Sequence, residues 1–262
     1  MPTQQREDQP EALRFDHVTL QFPGTHRPAI EDVSFSVKRG SFVAVIGPSG
    51  CGKSTLLNLA AGLLEPTEGT VTFDGRPVTA INTEASYVTQ KHNLLPWLSV
   101  RGNMELALKF RKVPKDVREE RVAHWTKTVG LQGFEDHFPR ELSGGMQKRC
   151  AIARALIYDP SIVLMDEPFG PLDAMTRLNL QQELLNLWQE QQGTVVFVTH
   201  DLNEALYLAD EVVVMSEGPG TVRRVMPVPF GRPRRIDAIT DSEEFGDIYG
   251  ELWQLFSAEV HR

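Results

Sequence analysis

The chain has 262 residues, 24% of them charged and 41% hydrophobic, which is the composition of a folded globular protein and excludes disordered and fibrous classes. Its formal net charge of −8 speaks against a general nucleic-acid binder, because such proteins need a basic face to displace phosphate counterions. Only Cys51 and Cys150 occur, without metal-ligand spacing, and no stretch approaches the roughly 18 apolar residues of a spanning helix, so a chain soluble by itself in a reducing compartment is expected.

Residues 1–10 are polar and are expected to be a flexible start. Residues 12–20, 33–37 and 71–73 alternate in part and predict an early, partly antiparallel sheet. Residues 42–46, 162–165 and 194–198 are apolar on both faces, as buried parallel strands are, and each run ends in polar chemistry. Between them, residues 93–158 read as an inserted helical subdomain, with helical mixtures near residues 117–129 and a helix opening near Ser143. Arg223, Arg224, Arg232, Arg234 and Arg235 crowd a Pro/Gly-rich stretch that reads as a solvated loop, with a contact to a partner or lipid head groups as the alternative. From Ser242 onward, Phe245, Ile248, Leu252 and Leu255 recur at helical spacing suited to packing. The expected organisation is a flexible start over 1–10, an α/β catalytic domain over 11–235, and a helical tail over 236–262.

The run 42–46 leads into Gly47, Pro48, Ser49, Gly50, Cys51, Gly52, Lys53, Ser54 and Thr55, a G-x-x-x-x-G-K-[ST] loop between a predicted strand and a predicted helix. Glycines let such a loop curl until its N–H groups face phosphate oxygens, and the helix that follows adds the positive end of its dipole. Lys53 then reaches the β and γ phosphates of ATP, and Ser54 supplies a hydroxyl to Mg²⁺. The run 162–165 delivers Asp166, suited to the Mg²⁺ shell, and Glu167, suited to orient and deprotonate water for attack on the γ phosphate.

Leu142, Ser143, Gly144, Gly145, Met146 and Gln147 form a string that resembles the signature of ATP-binding cassette (ABC) proteins. Ser143 can cap a helix whose free N–H groups at Gly144 and Gly145 make a second anion site. The resemblance implies a P-loop NTPase core of mixed sheet and helices, an N-terminal antiparallel β-subdomain and an inserted helical subdomain. It also implies a pair of such domains, a homodimer or a pseudo-symmetric pair, in which this string contacts the γ phosphate held by the other protomer. Other positions resemble the family singly. Gln90 matches the glutamine that senses Mg²⁺ and the nucleophilic water, Asp173 the interprotomer loop, and His200 the histidine that contacts the γ phosphate and holds Glu167 and water. Phe22 matches the aromatic residue that stacks on adenine, with Phe15 close enough in the chain to compete for the role; Pro171 departs from the commoner small residue.

The stretch from Gln90 through Val100, with Asp166 to Gly170 and the late residues 229–234, is similar to importers of nitrate, taurine, aliphatic sulfonates and related small anions. That similarity implies a subunit at the cytoplasmic face of the membrane, bound to two transmembrane permease subunits and served indirectly by an extracytoplasmic solute-binding protein. Leu94, Leu95 and Trp97 read equally as a groove for a permease helix and as ordinary core. The rival readings are a soluble mechanochemical ATPase acting on nucleic acid, which the acidic charge opposes, and the motor of an exporter.

Overall fold

The computed structural model describes residues 9–170 and 173–260, so most of the expected flexible start, the departure at Pro171 and the last two residues of the tail lie outside the described residues. Two strands, β1 (Glu11–Leu20) and β2 (Ile30–Lys38), open the chain, followed by β3 (Phe42–Ile46), α1 (Lys53–Ala60), β4 (Glu68–Phe73) and β5 (Arg76–Pro77). β1 lies inside an antiparallel sheet of order β2-β1-β4-β5. Its alternation is only partial because the register shifts between Phe15 and Val18, with His17 at φ 50°. The bulge turns both Phe15 and Val18 inward although an odd number of positions separates them.

Next come β6 (Ala85–Val88), α2 (Val100–Phe110), α3 (Lys115–Thr128), α4 (Gly144–Leu156), β7 (Ile162–Asp166), α5 (Ala174–Gln191), β8 (Thr194–Val198), α6 (Leu202–Leu208), β9 (Glu211–Met215), β10 (Val222–Pro227), α7 (Ile236–Thr240) and α8 (Glu243–Val260). The central sheet has the order β10-β9-β3-β8-β7-β6, parallel except for β10. Both faces of it are buried. Phe42, Ala44, Ile46, Val163, Met165, Val195 and Phe197 face one apolar core with α2 to α6 and α8, whereas Val43, Val45, Ile162, Leu164, Val196 and Val198 face a second core against α1 and the antiparallel sheet. The period of two along each strand divides one run of apolar residues between two cores, which is why these strands read as continuously hydrophobic.

β6, β9 and β10 are not among the strands expected from the sequence. β9 (EVVVM) is as apolar as β8, but β6 (ASYV) is a short mixed run. In the C-terminal helix, Phe245 and Leu252 are buried while Ile248 and Leu255 pack partly against the first core.

The arginine-rich stretch is not a solvated loop. Arg223 and Arg224 stand on β10 and pair with Glu259 and Glu251 of α8 at 3.2 and 2.9 Å. Arg232 pairs with Asp210 at 3.1 Å and stacks over Trp188, its guanidinium carbon 4.3 Å from the ring centroid. Arg234 has a side chain with 0% exposure. Arg223, Arg224 and Arg235 stay exposed, Arg235 paired with Asp237, and it is Arg232 and Arg234 that are withdrawn from solvent. Carbonyl groups left over at the end of α6 account for the burial, since an arginine fork satisfies several at once.

Candidate active site

Four neighbouring parallel strands, β3, β8, β7 and β6, end on the same edge of the central sheet, and the chain places a chemical group just past each end. Ligands of open α/β sheets bind beyond the carboxyl ends of the strands, so the topology alone gathers these groups. After β3 the chain curls through Gly47 to Gly52, with Gly50 at φ 81° and Gly52 at φ 92°. A Cβ on Gly52 would lie 2.3 Å from Ile30 Cγ2 and 2.9 Å from the Ala29 oxygen, so the turn into α1 admits only glycine. Lys53 opens α1, and its ammonium folds back over the loop to donate to the Gly47 and Pro48 carbonyls, both at 2.8 Å. Cys51 points into the second core; Ser49 sits on the loop and Thr55 follows Ser54 on α1.

Ser54 Oγ donates to Asp166 Oδ1 at 3.1 Å, joining the start of α1 to the end of β7. Burial raises the pKa of Asp166, the Ser54 bond lowers it, and the adjacent Glu167 charge raises it again. Glu167 itself has φ 42°, a left-handed conformation that a glutamate adopts at a cost. Its backbone N–H is held by the Val198 carbonyl at 2.9 Å, and the two carboxylate oxygens meet different partners. Gln90 Nε2 donates to Oε2 at 3.2 Å, and His200 Nδ1 lies 3.2 Å from Oε1. Beside the pair is a cavity of about 20 Å³ lined by Glu167, Gly170, Arg177, Thr199, His200 and Asp201, the volume one water fills. Gln90 therefore meets Glu167 and not the Ser54–Asp166 pair.

Ser143, Gly144 and Gly145 lie elsewhere. Ser143 caps α4, accepting from the Met146 N–H at 3.3 Å, and no neighbour lies within 4 Å of a Cβ built on Gly144. Gly145 packs against Thr176, whose N–H is accepted by Asp173 at 3.0 Å, so Asp173 is the N-cap of α5 beside the opening of α4. Among the described residues no hydrogen bond or ion pair joins Ser143, Gly144 or Gly145 to the loop at Gly47 to Thr55. Phe22 stands 40% exposed in the turn after β1, and the loop it begins returns at Ala29 and Ile30 against Gly52. Phe15 is buried and stacks on Phe35 with centroids 4.7 Å apart, which removes it as a platform for a ligand ring. Trp97 is exposed while Leu94 packs against the first core, so that stretch divides between the two readings.

Two groups escaped the sequence reading. Glu204, buried on α6, accepts from Thr199 Oγ1 at 2.5 Å and Gln181 Nε2 at 3.0 Å, tying the His200 turn to α5. Lys148, on α4, is fully buried against the Gln90 loop. Neither carried a signal, because a lysine or glutamate in a helix reads as a solvated face.

A family model described as ABC transporter matches residues 30–170. The chain is 46% identical over 244 residues to the nitrate import ATP-binding protein NrtD of Synechococcus elongatus, covering 91% of this chain and 89% of the relative. It is 47% identical over 229 residues to the aliphatic sulfonates import ATP-binding protein SsuB of Bacillus anthracis, covering 87% and 88%. Among solved structures it matches the dimeric post-hydrolysis state of the ATP-binding cassette MJ0796 bound to ADP and Pi, with TM-score 0.74 and 34% identity over 84% of this chain and 100% of that one.

Proposed function

Because this chain belongs to the ABC transporter family, whose ATP-binding subunits hydrolyse ATP to drive transport, we propose that it powers uptake of a small anion such as nitrate, taurine or another sulfonate. The observation that carries the chemistry is the bracketing of Glu167 between Gln90 and His200 beside a cavity the size of one water. In this reading Glu167 accepts a proton from the attacking water, and Gln90 and His200 fix the carboxylate so that one oxygen faces the γ phosphate. The loop from Gly47 to Thr55 cradles the phosphates with its N–H groups and with the Lys53 ammonium. Phe22 supplies the exposed ring for the adenine.

The Ser54 hydroxyl and the Asp166 carboxylate fit Mg²⁺, an ion that takes hard oxygen donors and keeps water or phosphate oxygens in its shell. These two residues would hold the ion, and the ion would neutralise charge on the transferring phosphate.

The phosphate loop and the Ser143–Gly145 turn are separate within one chain, which favours a pair of chains that each complete the other's site, with Asp173 at the joint. A solved relative is dimeric, in line with this. No helix among the described residues is long and apolar enough to cross a membrane. We place the pair at the cytoplasmic face of the membrane, under two permease subunits fed by a solute-binding protein outside, with no role for nucleic acid.

The test is Glu167→Gln. ATP binding should persist, the ATP-bound pair should accumulate in light scattering, and turnover should fall by roughly a hundredfold or more, the contribution of a positioned base. Lys53→Ala should lose nucleotide binding or turnover. Unimpaired turnover of the Glu167→Gln protein would overturn the assignment of the base. Titration of the partner solute-binding protein with nitrate, taurine and alkyl sulfonates tests the cargo; silence toward all three would remove the small-anion reading.

A further inference from the structure

Two cations on α4 point into the protein and end on one loop. Lys148 has no exposed surface, and its Nζ donates to the Thr89 carbonyl at 3.0 Å and the Gln90 carbonyl at 3.4 Å. Further along the helix, Arg154 donates to the Asn93 carbonyl at 2.8 Å and the His92 carbonyl at 3.3 Å. The remaining carbonyl of the stretch, at Lys91, accepts from Thr89 Oγ1 at 2.7 Å. Every carbonyl from residue 89 to residue 93 is thereby engaged, four of them by one helix. That helix opens at Ser143, and the loop carries Gln90, whose side chain rests on Glu167.

Burying an ammonium away from water is costly, and here desolvation pushes the Lys148 pKa down to about 8 while the Asp166 charge recovers part of the loss. Apolar packing would join a helix to a loop at lower cost, as the surrounding core does throughout. What a cation adds is direction, because it grips carbonyls and so sets the orientation of the peptide units that aim the Gln90 side chain.

We propose that Lys148 and Arg154 are positioning residues that fasten the Gln90 loop to the helix opened by Ser143 and so hold the Gln90 amide aimed at Glu167. The inference rests on the reading of Glu167 and Gln90 as hydrolytic residues.

The experiment is a double-mutant cycle on the full-length chain, or on its membrane complex if hydrolysis needs the partners. Lys148→Met keeps the length and burial of the stem and removes the donor. Its kcat should fall on the order of tenfold, as a misaimed group does, while affinity for a fluorescent ATP analogue stays within about twofold. In a Gln90→Ala background the same substitution should cause no further loss, because the two act in series. Wild-type turnover of Lys148→Met, or a loss that multiplies with that of Gln90→Ala, overturns the proposal. A loss expressed as weakened nucleotide binding at unchanged kcat overturns it too. If Lys148→Met fails to fold by circular dichroism, Arg154→Met, whose side chain is only partly buried, carries the same cycle. Glu167→Gln is measured alongside: if it hydrolyses normally the underlying reading has failed, whereas a dead Glu167→Gln with an additive cycle sinks the positioning role alone.

Discussion

Arg234 gathers what a helix end cannot satisfy internally. The last carbonyls of α6 have no partner along the helix, and this arginine reaches Leu206, Tyr207 and Ala209 through Nη1 at 3.1, 3.3 and 2.8 Å. Its Nη2 donates to the Phe230 carbonyl at 2.6 Å, while Arg232 takes the Leu208 carbonyl. Arg234→Met would keep an apolar stem and remove all of these donors. Three acceptors share the two N–H groups of Nη1, so the set is worth about three good bonds rather than four, at about 1.5–3 kcal/mol for each bond to a charged group. Relief of the guanidinium's own desolvation offsets part of this, while stripping a partner from a buried polar cluster costs about 3–5 kcal/mol. The expected destabilisation is therefore about 4 kcal/mol, which for a chain of this size lowers Tm by roughly 10 °C. Urea unfolding followed by circular dichroism measures it, with Arg235→Ala, an exposed neighbour, expected to melt like the parent. Because α6 is capped by Asp201, directly after His200, thermal inactivation of the ATPase should move with Tm. A stability within about 1 kcal/mol of the parent would refute the claim that this arginine holds the helix end.

Phe22→Ala should weaken ATP affinity by roughly three- to tenfold, the worth of one aromatic stack, and unchanged affinity in calorimetry would reassign the platform. Gly52→Ala forces a Cβ into Ile30 and the Ala29 carbonyl at φ 92°, so it should abolish nucleotide binding and cost about 1–3 kcal/mol in a melt; a folded, ATP-binding variant would contradict the geometry. Burial pushes the Cys150 thiol up to about 12 and raises that of Cys51, so neither is a thiolate near pH 8. Iodoacetamide should label neither until denaturant is added, and stoichiometric labelling of the native chain would contradict their burial.

Chemistry near the chain's backbone was readable because its spacing is local. Gly47 to Thr55 needs a fixed order of glycines, lysine and hydroxyl to close one turn, and Ser143 needs only the N–H groups of its own helix. The three buried strands declared themselves as uninterrupted apolar runs, and Asp166, Glu167 and His200 stand just beyond two of them. β6 stayed hidden because four mixed residues carry no period, although the strand is what brings Gln90 to Glu167. The arginine stretch misled for a related reason: charge in a Pro/Gly-rich segment reads as solvation, and nothing local shows that α6 ends above it.

What residue order alone settles here is the class of chemistry, since a phosphate loop, a helix cap and an acid at a strand end are built from neighbours in the chain. Which groups share a bond is another matter. Gln90 with Glu167, Lys148 with the loop at Thr89, Glu204 with Thr199 and Arg234 with the end of α6 are pairings in which long separation or burial was decided by how sheet and helices pack. A buried cation or carboxylate is stable only where the assembled fold supplies its partners, and those partners come from segments whose approach no local pattern records.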